Sequence, residues 1–141
     1  MEALGRFFAI TIGAVGLVFL LYLNKSASFL WQKNESVRSL SHDFAESLLK
    51  EKRVSGERVD SFRETLETLG SYRVTVSVYE RRRYENENGR VYLFTEWENP
   101  EEAELVPGSY IRIVVTEEER NKLAVFLYGS PCTVYAGGRV T

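Results

Sequence analysis

The sequence predicts an α+β fold built from a long N-terminal helix, a second short helix and an antiparallel sheet of four or five strands. Three observations predict it: an apolar block near the N-terminus, a helix-periodic stretch after it, and alternation with a period of two in the second half of the 141-residue chain. The predicted organisation is a transmembrane anchor over 1–25, an amphipathic continuation of the same helix over 26–53, and an α+β head domain over 54–141.

The apolar block, residues 7–23, contains no charged side chain. Extended to about twenty residues it forms a helix of roughly 30 Å, which matches the hydrocarbon core of a bilayer. A cleaved secretory signal is the alternative, with Ser26, Ala27 and Ser28 as the small residues of its cleavage site. We expect a retained single-pass anchor.

Small residues recur along this block at Gly5, Ala9, Gly13 and Gly16. Spacings of three and four place them on one side of a helix, where they let a second helix backbone approach closely in lipid. They are the predicted helix–helix packing residues. The alternative is that Gly and Ala are simply frequent in membrane helices.

Two further helical stretches follow. Residues 26–52 contain no Pro or Gly, and their apolar side chains form one stripe. The stripe consists of Leu30, Val37, Leu40, Phe44 and Leu48. Ser55 is suited to cap a second helix over 57–69, and Gly70 is a good C-terminal stop.

The remaining chain reads as strands separated by turn signals. Residues 72–79 alternate apolar and polar side chains, and Asn88-Gly89 predicts a hairpin turn after them. Gly137-Gly138 predicts a bend or turn near the C-terminus. Further strands are predicted at 90–97, 110–116, 122–128 and 133–136, with an acidic loop over 99–104, a turn at Pro107-Gly108 and a turn over 129–131.

Candidate chemistry is sparse. His42 is the only histidine and Cys132 the only cysteine, and neither has a catalytic motif around it. We interpret His42 as a solvated surface residue and Cys132 as a small apolar residue of the core. Nearly all carboxylates are Glu, and the net charge is −2. The sequence therefore predicts no enzyme, no catalytic residue, no cofactor, no metal site, no nucleic-acid partner and no small-molecule substrate.

Charged residues collect in two places that could contact neighbouring subunits. A basic tip surrounds the predicted hairpin, and an acidic loop follows its second strand. A solvated surface without partners is the alternative. The predicted contact residues are Arg81, Arg82, Arg83, Arg90, Glu101, Glu102 and Glu104.

Several segments together resemble type IV pilin-like proteins, and more closely the TadE-like minor pilins of bacterial tight-adherence systems. The likeness lies in the apolar anchor, in VSGERVDSFRETLETLGSYRVTVSV, in PGSYIRIVV and in TVYAGGRV. Prepilins usually carry an acidic residue five positions after the processed glycine. Here Arg6 follows Gly5 and Ile10 occupies that position, so no processing residue is assigned.

This resemblance implies a structural subunit, major or minor, of a pilus or pseudopilus that packs against copies of itself or other pilin-like subunits. It also implies a head outside the cytoplasm at the cell surface. The count of Lys and Arg on each side of the anchor leans the other way, towards a cytoplasmic head. The alternative function is a bitopic accessory protein of a secretion, division or sporulation machine, with a head that binds partners.

Overall fold

The computed structural model describes residues 1–118, 122, 125–126 and 132–141. It confirms the predicted α+β fold, with one long helix, a second short helix and antiparallel strands. The elements follow in the order α1 (Glu2–Glu51), β1 (Arg53–Ser55), α2 (Gly56–Glu67), β2 (Tyr72–Asn86), β3 (Gly89–Glu98), β4 (Glu102–Glu104), β5 (Tyr110–Glu117) and β6 (Thr133–Arg139).

The chain divides into two compact units, Met1–Lys33 and Asn34–Thr141. The first unit is helical and belongs to α1. Among the described residues, α1 is the helix that is long and apolar enough to cross a membrane, and none of its most apolar 18-residue window is buried. Thr11 donates a hydrogen bond to the carbonyl oxygen of Phe7 at 2.8 Å, which satisfies its hydroxyl inside an otherwise apolar stretch.

The second unit is built on a four-stranded antiparallel sheet with the order β3-β2-β5-β6. A separate two-stranded sheet pairs β1 with β4. The last part of α1 and the whole of α2 pack on one face of the larger sheet and enclose the core. Fully or nearly fully buried core residues are Val37 and Leu48 of α1, Leu66 of α2, Val76 of β2, and Ile113 and Val115 of β5.

Local chemistry fixes α2 in place. The Ser55 hydroxyl oxygen accepts a hydrogen bond from the Arg58 backbone N–H at 3.4 Å, which is the predicted N-cap. The rings of Phe44 in α1 and Phe62 in α2 stack with centroids 4.3 Å apart and planes 10° apart. α2 therefore lies against the end of α1 as well as on the sheet.

The β2–β3 hairpin extends beyond the rest of the sheet. β5 pairs with β2 only from Tyr72 to Tyr79, whereas β3 pairs with β2 as far as Asn86. Residues 80–95 therefore form a two-stranded hairpin arm. Its two-residue turn is Glu87-Asn88, and Gly89 begins the returning strand at φ 125°. The predicted turn at Asn88-Gly89 is thus displaced by one residue.

Three predictions about the C-terminal half need correction. Within the predicted strand 122–128, the described residues Lys122, Val125 and Phe126 are helical, because a short apolar run fits a helix and a strand equally well. The other residues of that predicted strand lie outside the described residues, and so does the turn predicted over 129–131. Gly137-Gly138 is not a bend, since β6 continues through it to Arg139. The acidic loop contains β4, which is too short to show a pattern.

Candidate functional site

The candidate site lies on the face of the four-stranded sheet that the helices leave uncovered. Because side chains alternate along a strand, the buried Val74, Val76 and Val78 of β2 place Tyr79 on the opposite side. We call that side the outer face. It carries Tyr79 of β2, Tyr110 and Arg112 of β5, Tyr135, Gly137 and Arg139 of β6, and Tyr92, Phe94 and Glu96 of β3.

One row of side chains crosses all four strands of the outer face. Tyr79 lies opposite Glu96 on one side and Tyr110 on the other, and Tyr110 lies opposite Arg139. The Tyr79 hydroxyl donates a hydrogen bond to a Glu96 carboxylate oxygen at 3.0 Å. Arg112 also reaches Glu96, with Nη2 3.8 Å from the same oxygen. The Glu96 carboxylate thus joins a phenol and a guanidinium at the middle of the face.

The ionisation of Tyr79 follows from these neighbours. Loss of hydration, followed by the hydrogen bond to Glu96, raises the pKa of the Tyr79 phenol, and the Arg112 charge acts in the opposite direction. The phenol is therefore neutral at physiological pH and remains a hydrogen-bond donor. The Arg112 guanidinium lies 5.4 Å from the centroid of the Tyr79 ring, within cation–π range.

An open groove of about 630 Å³ is lined by side chains of the outer face together with His42 of α1 and the buried Ile111 and Ala136. This volume is within the range of small-molecule and peptide-side-chain pockets. Aromatic rings line it, with Phe94 and Tyr110 tilted at 58° and 5.7 Å apart between centroids. The lining residues are His42, Tyr79, Phe94, Tyr110, Ile111, Arg112, Tyr135, Ala136 and Gly137.

Gly137 keeps part of the groove floor free of side-chain atoms. Its φ of 149° is a conformation that L side chains rarely adopt. A Cβ at this position would overlap the carbonyl oxygen of Ile111 and lie 3.1 Å from the Cα of Arg112. β5 and β6 therefore approach closely here only because residue 137 has no side chain.

His42 lies on α1 and also lines the groove. It is exposed, in agreement with a solvated surface histidine.

Cys132 packs partly buried against the core, close to Tyr72. Burial, the Glu117 charge and Cys132 raise the pKa of the Tyr72 phenol. Within the described residues, no group of three or more His, Cys, Asp or Glu side chains could hold a metal ion.

The structure separates the two predicted charge clusters. The arginines belong to the hairpin arm, and each has a neighbour there: Arg81 lies 3.7 Å above the Tyr92 ring, and the other three reach carboxylates of the same arm. These ion pairs are Arg82–Glu80 at 3.4 Å, Arg83–Glu85 at 2.5 Å and Arg90–Glu85 at 3.6 Å. The predicted basic tip is therefore largely neutralised by glutamates of its own arm.

The acidic residues belong to β4 and the residue before it. Glu102 pairs with Arg53 across the small sheet, at 3.0 Å between Nη2 and Oε1. Glu104 lies opposite Arg53 in the same sheet, and the Glu101 carbonyl accepts from the Gly56 N–H at 2.7 Å. The role of both charge clusters in subunit contacts stays a prediction.

The predicted ridge of small residues lies in the Met1–Lys33 unit. A Cβ added at Gly5, Gly13 or Gly16 would meet no atom within 4 Å apart from the adjacent backbone of its own helix, so these positions face open space within the described structure. Ala9 lies between them and is also exposed. Helix–helix packing through this ridge stays a prediction.

Sequence reasoning missed the groove because its residues come from different strands and from α1. Along the chain, aromatic side chains do not alternate with arginines. The aromatic rings and the arginine come together only because the register of β2 and β5 places Tyr79, Tyr110 and Arg112 side by side. A signal was present: Tyr79, Tyr110 and Tyr135 all occupy outward positions of predicted strands.

Comparisons with protein-family models, curated proteins and solved structures gave no match.

Proposed function

We propose that this protein is a single-pass membrane subunit of the pilin-like kind, which assembles with copies of itself through its helix and its head. The observation that carries the proposal is the composition of α1. Its first part is apolar and unburied over a membrane-spanning length, and its last part supplies Val37 and Leu48 to the core of an α+β head. One helix thus serves both as the membrane anchor and as part of the core of the head.

Association in lipid has to come from close packing, because lipid tails are as apolar as the helix itself. The ridge of Gly5, Ala9, Gly13 and Gly16 offers a surface on which two backbones can approach. Open space around its glycines is consistent with a partner helix there. We further propose that the Asn34–Thr141 unit lies outside the cytoplasm, as the pilin resemblance implies.

A binding role for the head fits the groove better than catalysis does. The groove combines four aromatic rings with one guanidinium and one imidazole, which is typical of surfaces that bind by packing. His42 has no serine or cysteine among the lining residues to act as its nucleophile.

A second candidate function is a bitopic accessory protein whose head binds a different protein. The groove favours it, since exposed aromatic rings and an arginine are the residue types that carry most binding energy in protein interfaces. The two candidates differ in the composition of the complex: copies of this chain in the first, a fixed complex with another protein in the second.

The test compares ridge variants in native membranes. Gly13→Leu and Gly16→Leu place large side chains on the ridge, and Ala14→Leu makes a similar change on another side of the helix. After chemical cross-linking, we expect a ladder of multimers from the native chain and from Ala14→Leu, and its loss in both ridge variants. A ladder that survives both ridge substitutions would contradict packing through the ridge. A single band of fixed mass that contains another protein would favour the accessory role.

A further inference from the structure

Each outer strand of the four-stranded sheet has an edge that none of the described strands covers. In the part of the chain that the structure describes, β3 pairs only with β2, and β6 pairs only with β5. An open edge presents a row of backbone N–H and C=O groups that pair with any suitable strand. Soluble sheets usually block such edges with Lys, Pro or a bulge. Neither β3 nor β6 contains a Lys or a Pro.

The number of strands decides how copies can meet. Every neighbouring pair in the sheet is antiparallel, so across four strands β3 and β6 run in opposite directions. When two copies stand side by side in the same orientation, β6 of one is therefore antiparallel to β3 of the next. Two heads that are related by a translation alone meet this condition. A sheet of three or five strands would instead present parallel edges.

We propose that β6 of one copy pairs antiparallel with β3 of the next copy, so that the outer faces join into one sheet. This inference rests on the proposed self-assembly and names its surface and its partner. Of the registers that use the whole of β6, the one that begins at the last residue of β3 places Thr133–Arg139 opposite residues 98 to 92. Because each copy offers one edge of each kind, the contact repeats from head to tail and is not limited to a dimer.

Side-chain chemistry selects this register over its neighbours. A shift of two residues in one direction places Arg139 opposite Arg90, and like charges directly opposite are destabilising. A shift of two in the other direction places Thr133 opposite Pro100, which has no N–H to donate. The unshifted register has no pair of like charges.

The same register joins complementary groups on the outer face. Arg139 lies opposite Tyr92, and Tyr135 lies opposite Glu96, a carboxylate that already accepts from Tyr79. Phe94 lies opposite Gly137, and an aromatic ring placed across from a strand glycine covers its exposed backbone. Tyr135 is 66% exposed and Phe94 50%, so the contact would remove large apolar surfaces from water.

The test joins the two edges through a disulfide. In a Cys132→Ala background, the full-length chain carries Glu98→Cys together with Thr133→Cys and is oxidised mildly in its own membrane. Within one copy these positions lie on opposite edges, and Glu98 is level with Gly137 and not with Thr133. Three strand spacings and four residues along the strand separate them by roughly 20 Å, too far for a disulfide. We expect a ladder of disulfide-linked multimers on a non-reducing gel. Tyr92→Cys with Arg139→Cys, at the other end of the register, is expected to give the same ladder.

Three control variants fix the interpretation. Glu98→Cys alone and Thr133→Cys alone leave no partner cysteine in the contact, so we expect monomers. Glu98→Cys with Arg139→Cys places the two cysteines about 20 Å out of register, and we again expect monomers. A dimer from either single variant would show a symmetric contact and overturn the proposal.

The remaining outcomes separate this inference from the proposed function. Both in-register cysteine pairs could give monomers while a lysine-reactive cross-linker still gives a ladder. That result would overturn edge pairing but not self-assembly. Monomers with both reagents would overturn edge pairing and self-assembly together. If one in-register pair prevents folding, the other pair decides the result.

Discussion

At the scale of single residues, Gly137 shows how closely the backbone is constrained at the candidate site. We expect Gly137→Ala to lower the free energy of unfolding by more than about 2 kcal/mol, since a methyl group would overlap the Ile111 carbonyl at an unfavourable φ. Gly138→Ala is the matched control, because its methyl would meet only the end of the Leu49 side chain, at 3.1 Å. Thermal unfolding followed by circular dichroism measures both. Equal losses in the two variants would contradict this account.

Tyr72 makes stability depend on pH at the alkaline end. In the folded chain the pKa of the Tyr72 phenol is raised, mainly by burial and in addition by the Glu117 charge. In the unfolded chain the phenol ionises near pH 10. Below that pH both states are neutral, and above it only the unfolded state releases its proton. The stability of the native chain is therefore expected to fall as pH rises above about 10, and to fall less steeply in Tyr72→Phe. Urea titrations at several pH values measure the difference, and identical slopes would contradict it.

At the scale of elements, the contact between α1 and α2 includes the stacked rings of Phe44 and Phe62. Phe62 is 6% exposed, so Phe62→Ala is expected to cost about 3–5 kcal/mol. A double-mutant cycle with Phe44→Leu and Phe62→Leu isolates the ring–ring term, which we expect to be about 0.5–1.5 kcal/mol. Additive single-variant losses would show that the rings contribute only by burial.

Elements with a long repeating pattern could be predicted from sequence, and short ones could not. The stripe of α1, the Ser55 cap of α2 and the alternation of β2 depend on neighbouring residues, and the structure confirms each. β1 and β4 have three residues each and exist because they pair with one another, which no local pattern reveals. The groove required the β2–β5 register, a property of the assembled sheet.

At the scale of the whole molecule, the proposed position of the head outside the cytoplasm can be tested directly. In a Cys132→Ala background, Glu87→Cys places a thiol in the exposed turn of the hairpin arm. We expect a membrane-impermeant maleimide to label it in intact cells, as an extracytoplasmic head requires. Labelling only after the cells are opened would place the head in the cytoplasm, and in that case the pilin-like role would fail while the fold would stand.

The division of the chain between Lys33 and Asn34 falls inside α1, with no proline or glycine nearby. Any truncation that removes the apolar first part of α1 therefore begins inside a helix, and leaves the first N–H groups of the shortened helix without acceptors. Asn34 is itself a favourable residue for capping those amides. A recombinant head that begins at Lys33, with Asn34 at the cap position, would retain Val37, Leu40, Phe44 and Leu48 of the apolar stripe and would lose Leu30 together with the apolar segment before it.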